Sequence, residues 1–279
     1  MKTIADLPYA KGFIRLCDIG DRQGFHERNG GNLSYHLTDA EIKASKALLK
    51  GRKPGPWTDV DPKGDVAVPT LGGHWFLVTG SGRFMRNVPY DPEANIALCE
   101  LDKDGAHYRI LWGLREGGRP TSEFSSHLMN HEVKFAASKG AMRVIYHAHP
   151  ANVIAMTYVV PANDRAFTRA IWNTMTECAV IFPEGLGTIE WMVPGGREIA
   201  VRSAKLMKKY NNIIWYYHGV FCAADSFDNA MGQMETIEKS AKIFMTVEAS
   251  GLKRRGSITS DGYRAIGKMY GGDIPERFL

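Results

Sequence analysis

The sequence predicts an α/β fold in which a mixed β-sheet is covered by helices. Apolar strand-like runs alternate with stretches of helical periodicity along the chain. Hairpin signals such as Asp102-Lys-Asp-Gly105 are interspersed among them, which a purely parallel sheet would not contain. The 279 residues are 44% hydrophobic and 23% charged, so a sizeable core can form without staples. That length fits one large domain at roughly 100–200 residues per domain, and the whole chain, 1–279, reads as one.

Residues 8–28 read as a helix. The turn Asn29-Gly-Gly-Asn32 leads into a strand over 33–37. Residues 38–70 begin with a short helix over 40–49 and continue through the turn formers of 51–56. They read as an excursion from the main fold. Strands are expected over 75–79, 96–101 and 108–111, the last two joined by the hairpin signal. Pro120 opens a helix that runs from Glu123 to about Ser138, with Gly140 at its exit. A strand over 143–149 follows, and Pro150 starts another helix, because its fixed φ and missing N–H suit a first turn.

Further strands are expected over 179–182 and 188–192, then a helix from Gly195 to about Lys209 and a strand over 213–221. Asp225 begins a long helix to about Ser250. Its Met231, Met234, Ile237, Ala241, Phe244 and Met245 share one face at helical spacing, so these methionines read as core. Gly251 ends it.

The formal net charge is +5, and the densest basic cluster is Lys253-Arg254-Arg255. Nucleic-acid binding would want a longer basic stripe with interleaved aromatics, so it is not expected. A modest positive field suits an anionic small molecule. The four cysteines, Cys17, Cys99, Cys178 and Cys222, form no CxxC pair, as expected in a reducing compartment. The first residues show no apolar signal region, and no apolar run approaches the ~18 residues of a membrane span. The expectation is a cytoplasmic protein with no membrane partner.

The chemistry concentrates in histidines. His147 and His149 lie one residue apart on an expected strand, so they point to the same face. A third candidate, His218, sits in an apolar run where an unpartnered imidazole would be costly. Three neutral imidazoles around one zinc leave a coordination position open, as catalytic sites require. Satisfied buried histidines are the plainer alternative. His127 and His131 share a helix face at i, i+4, but Leu128 stands where a zincin needs glutamate. They read as a polar helix face. Glu123 lies in a first helical turn, where the macrodipole stabilises an acid regardless of function and favours its ionised form. That form also suits a general base beside a Lewis-acidic metal. Three turns could hold an anion: Asn29-Gly-Gly-Asn32, Thr79-Gly-Ser-Gly82 and Thr121-Ser122. No GxxxxGK[ST] or GxGxxG is present, which disfavours nucleotide binding.

Taken in order, Asn29-Gly-Gly-Asn32, Thr79-Gly-Ser-Gly82, Pro120-Thr-Ser-Glu123, His147-Ala-His149 and His218-Gly-Val-Phe221 resemble the class II aldolase/adducin-head family. The resemblance covers roughly residues 10–250 and is weakest over 38–70 and after Gly251. The phrases Glu27-Arg-Asn-Gly-Gly-Asn-Leu33, Thr176-Glu-Cys178 and Trp191-Met-Val-Pro-Gly195, with the chain length, point to a branch longer than the fuculose-phosphate aldolases.

The resemblance implies a three-layer architecture, a mixed central sheet flanked by helices, and a homotetramer with sites at subunit interfaces. It implies one Zn²⁺ per subunit, held by His147, His149 and His218. The implied reaction splits a phosphorylated ketose, a ketose 1-phosphate, into dihydroxyacetone phosphate and L-lactaldehyde through a metal-stabilised enediolate. Glu123 would be the acid/base. Asn29, Gly31, Asn32, Ser81, Gly82, Thr121 and Ser122 would surround the phosphate and adjacent oxygens. Glu177 would be an acid or aldehyde-side contact reaching a neighbouring subunit, with Glu184 and Glu190 close by in sequence as alternatives. A related metal-dependent aldolase or 4-epimerase would use the same groups. A non-catalytic adducin-like interaction head would show a degraded metal site, whereas here the three histidines and Glu123 are in place.

Overall fold

The computed structural model describes residues 2–61, 66–115 and 117–279. Its first helix, α1 (Pro8–Arg22), carries Pro8 in the first turn, where the missing N–H costs nothing. β1 (Asn32–His36) follows, then α2 (Asp39–Leu48), which Thr38 and Glu41 close with a capping box. β2 (Thr58–Asp59) and β3 (Trp75–Thr79) precede the single turn α3 (Pro92–Asn95) and the hairpin β4 (Ile96–Leu101) and β5 (His107–Gly113). Next come α4 (Phe124–Ser138), β6 (Val144–Ala148), α5 (Ala151–Met156), α6 (Asp164–Trp172) and α7 (Glu177–Ile181). The chain continues through β7 (Gly187–Ile189), α8 (Arg197–Met207), β8 (Asn212–Trp215), β9 (Gly219–Ala224), α9 (Phe227–Ala249) and α10 (Ser260–Tyr270).

Among the described residues, nine strands form one sheet in the order β2-β5-β4-β3-β1-β6-β9-β8-β7. Every pairing is antiparallel except β7 with β8. The sheet is therefore mixed, and helices cover both faces. Alternation along the strands assigns the layers. Leu33, Tyr35, Leu77, Val144 and Tyr146 point into a core shared with α1, α5, α6, α9 and α10. Phe76, Val78, Ile145 and Phe221 point the other way, against α4 and α8. Each large apolar side chain so buried contributes roughly 1.5–3 kcal/mol. Asn32, Ser34, His127, His131 and His147 are also buried, so polar groups occupy the middle of the sheet's α4 side.

Several expectations are corrected. The helix expected over 8–28 ends at Arg22, because Gly24 turns the chain at φ +76° and Phe25 and His26 fold inward. The strand expected over 179–182 is the end of helix α7. With Cys178, Ala179 and Phe182 buried, so short an apolar run carries no readable period. The strand expected over 188–192 stops at Ile189, and Trp191 and Val193 are exposed. The run 213–221 is two strands, with Tyr216, Tyr217 and His218 in the turn between them. The long helix is capped by Ser226, whose side chain accepts from the Asn229 N–H. α6 and α10, unmarked in the sequence reading, start at Asn163 and Thr259 side-chain caps.

The excursion over 38–70 rejoins the fold. β2 pairs with β5 at the sheet edge, and Val60, Val66, Val68 and Leu71 pack against Phe76 and Val78. Residues 62–65 of that segment lie outside the described residues. No helix among the described residues is long and apolar enough to cross a membrane. The four cysteines are buried and unpaired.

Candidate active site

β6 and the turn after β8 bring three imidazoles together. His147 Nε2 lies 3.2 Å from His149 Nε2 and 3.3 Å from His218 Nε2. His147 Nδ1 donates to the Val220 carbonyl at 2.9 Å, and His149 Nδ1 donates to Glu27 Oε1 at 2.7 Å. Both rings therefore present bare Nε2 lone pairs to one another. Two lone pairs cannot hydrogen-bond, so the arrangement calls for a cation between them. A tetrahedral zinc with Zn–N of about 2.0–2.1 Å would separate two ligand nitrogens by about 3.3–3.4 Å, which matches these spacings. The residues present therefore fit such an ion. Burial first, then the neighbouring imidazoles of His218 and His149, holds His147 well below the usual histidine range. Burial pushes His218 down to about 4. Neutral rings are what metal ligation requires.

His218 reaches the cluster through a strained turn. Tyr217 stands at φ 57°, a left-handed conformation uncommon for a bulky residue. Its N–H is held by Thr157 Oγ1 at 3.2 Å.

Glu123 occupies the N-cap position of α4, yet its side chain makes no cap bond. Oε2 instead accepts from Asn32 Nδ2 at 2.8 Å and lies 3.8 Å from His147 Nε2. Asn32 and His147 are direct partners across β1 and β6, which sets both against the glutamate. Glu123 is buried, and desolvation raises its pKa despite the Asn32 hydrogen bond.

The polar helix face formed by His127 and His131 is turned inward. Both are fully buried, each 2.7 Å from Ser34 Oγ, on the α4 side of the sheet.

Two of the three anion-type turns are adjacent. Gly80 bridges to Pro120, and the Thr121 N–H donates to the Thr79 carbonyl at 2.9 Å, so Ser81 and Gly82 lie beside Thr121 and Ser122. The third, at Asn29 and Gly31, borders the histidines. A Cβ on Gly31, at φ +70°, would stand 2.7 Å from the His147 carbonyl oxygen. The N–H groups of Gly30, Ser81 and Thr121 already donate to protein carbonyls. The side chains of Asn29, Ser81 and Ser122 are exposed.

A family model, the Class II Aldolase and Adducin N-terminal domain, matches residues 11–245. The chain belongs to this family. It is 40% identical over 270 residues to a rhamnulose-1-phosphate aldolase of Klebsiella pneumoniae subsp. pneumoniae, covering 97% of this chain and 95% of that protein. It is 41% identical over 272 residues to one of Enterobacter sp., covering 97% and 96%. A sugar-phosphate aldolase structure from Thermotoga maritima superposes with a TM-score of 0.70 at 25% identity, covering 88% of this chain and 97% of that one.

In this class II aldolase fold, Glu177 does not join Glu123 within one chain. It is exposed on α7, whose Cys178 packs at Ser240 of α9 on the opposite side of the sheet. Glu184 accepts from the Asn211 N–H and faces Lys134, and Glu190 is exposed. The sequence reading missed Glu27 as the partner of His149. It also missed His26, whose ring bonds the Gly30 carbonyl at 3.0 Å and the Tyr146 hydroxyl at 2.8 Å, fixing the Asn29–Gly31 turn. An acid and a histidine flanking a glycine turn were the available signal.

Proposed function

We propose that this chain cleaves L-rhamnulose 1-phosphate to dihydroxyacetone phosphate and L-lactaldehyde, and joins the same carbons in reverse. The observation that carries this reading is the near full-length 40% identity to a relative of that name. The convergence of three imidazole Nε2 atoms beside a buried glutamate agrees with it.

In this reading His147, His149 and His218 hold one zinc ion per subunit. Bound there, it would supply Lewis-acid stabilisation of the negative charge left by carbon–carbon cleavage. In cleavage the C4 hydroxyl gives up its proton as the C3–C4 bond breaks and its oxygen becomes the aldehyde carbonyl, while Glu123 gives a proton to C3 of the dihydroxyacetone phosphate half. In synthesis Glu123 removes that C3 proton and the C4 oxygen regains one, so no net proton is gained or lost. Burial, which raises the pKa of Glu123, makes it a better proton acceptor than a surface carboxylate. Ser81, Gly82, Thr121 and Ser122, with Asn29 and Gly31, hold the phosphate and adjacent oxygens. Asn32 acts through Glu123, since its amide is committed there. A homotetramer would carry Glu177 to a neighbouring subunit's site as an aldehyde-side contact. The enzyme would work in the cytoplasm.

The test is release of dihydroxyacetone phosphate from L-rhamnulose 1-phosphate by zinc-loaded protein. Turnover is expected. None from folded, metal-loaded protein would overturn the substrate assignment.

A further inference from the structure

We propose that His127, with Ser34 and His131 behind it, forms a one-directional donor chain that fixes the Asn32 amide and so orients the Glu123 carboxylate. The four groups behind Glu123 lie in a row on the α4 side of the sheet. His131 Nε2 is 2.7 Å from Ser34 Oγ, and Ser34 Oγ is 2.7 Å from His127 Nδ1. His127 Nε2 makes a short contact with Asn32 Oδ1, and Asn32 Nδ2 donates to Glu123 Oε2 at 2.8 Å. All are buried.

The proton positions follow from the chemistry of each group. An amide oxygen only accepts, so His127 must carry its proton on Nε2. His127 is fully buried, which pushes its pKa down to about 3, so the ring is neutral and Nδ1 is bare. Ser34 must then donate to Nδ1, and its oxygen accepts from Nε2–H of His131. That leaves His131 Nδ1 without a proton, in agreement with its having no hydrogen-bond partner among the described residues. Every donor points toward Glu123.

The consequence is geometric. An Asn side chain can present either its oxygen or its nitrogen with little change of shape. Presented oxygen-first, Asn32 would set an acceptor against a carboxylate. The Nε2–H of His127 excludes that orientation, because it requires an acceptor in return. His127 touches no reacting atom; it is a positioning residue. Helix α4 supplies both ends of the chain, since Glu123 stands at its N-cap position and His131 lies about two turns further on. Spacing at i, i+4 therefore serves hydrogen bonding to β1 here, not a metal.

This inference rests on the proposed role of Glu123, and the experiment separates the two. Turnover, KM and metal content are measured for wild type, Glu123→Gln, His127→Leu, His127→Gln and Ser34→Ala. Loss of a hydrogen bond that orients a charged group predicts a fall in kcat of about ten- to a hundredfold for His127→Leu. KM and metal content should stay near wild type. His127→Gln, which can still donate to Asn32 Oδ1, should recover most of the loss, and Ser34→Ala should cost less than His127→Leu. An inactive Glu123→Gln beside a fully active His127→Leu would overturn the donor chain and leave the role of Glu123 standing. An active Glu123→Gln would overturn both. If His127→Leu does not fold, ¹⁵N-histidine NMR of the wild-type protein decides. A protonated Nε2 and bare Nδ1 on His127 are expected, and the opposite tautomer would overturn the chain.

Discussion

Glu27 Oε1 lies 2.7 Å from His149 Nδ1, joining the turn after α1 to the end of β6 across 122 residues of sequence. A carboxylate in that place fixes the ring's tautomer and rotation and makes its other nitrogen a better ligand. Glu27→Gln should therefore weaken metal binding about 10- to 100-fold. Competition with a chromophoric chelator measures it. Unchanged affinity would mean that the His149 ring is fixed by its packing alone.

Removing the metal should abolish turnover, and adding zinc back should restore it. The spacing of His147 and His149 Nε2 at 3.2 Å carries this expectation, since the pair has no hydrogen bond to fall back on. His147→Ala should lower bound metal per chain as read by elemental analysis. Full turnover by metal-free protein would contradict the proposed chemistry.

Glu123→Gln keeps the size and the Asn32 contact but cannot exchange a proton. A loss of about 10²–10⁴-fold in kcat is expected, with a much smaller change in KM. Exchange of the pro-chiral proton of dihydroxyacetone phosphate with deuterated water should fall in parallel. Exchange at the wild-type rate would move the acid/base role elsewhere.

Gly31→Ala drives a Cβ into His26 Nδ1 and to 2.7 Å from the His147 carbonyl oxygen, at φ +70°. The left-handed backbone alone costs about 1–2 kcal/mol. The collision adds to this and pushes on the strand that carries the ligands. Denaturant unfolding should show the lost stability, and metal content should fall with it. A variant as stable as wild type would mean that the turn opens at no cost.

Stability should fall with acidification. Burial pushes His26 down to about 4 and His36 and His127 to about 3. In the unfolded chain these rings titrate near ~6.5. Between those values the unfolded chain binds protons that the native state refuses, so the stability present above about 6.5 is lost as pH falls. Each ring removes up to about 1.4 kcal/mol per pH unit. Urea midpoints at pH 7.5 and pH 5 test this, and equal midpoints would contradict it.

Much of the fold was legible. Trp75–Thr79 is a strand over the expected residues because β-branched and aromatic residues lie between turn formers, and Ile96–Leu101 is one because an apolar run leads into the hairpin signal Asp102–Gly105. Helices with a clear entry, such as that after Pro120, were also legible. Short apolar runs were not. At 179–182 the same residue types serve helix α7, because four residues do not distinguish a period of 2 from one of 3.6.

The sequence by itself determined that His147 and His149 point to one side, since side chains alternate along extended backbone by covalent geometry, although β6 ends at Ala148 and His149 stands one residue past it. It also determined that Glu123 stands at a helix entry. Only the tertiary structure decided that His218 arrives from a tight turn, that Glu27 holds His149, and that His127 and His131 face Ser34 inside the protein. Those relations depend on which strands become neighbours, and strand order is set by how buried surface is shared across the sheet, not by local periodicity. Burial likewise raises the pKa of Glu123, because desolvation outweighs the hydrogen bond from Asn32 once α4 packs against β1.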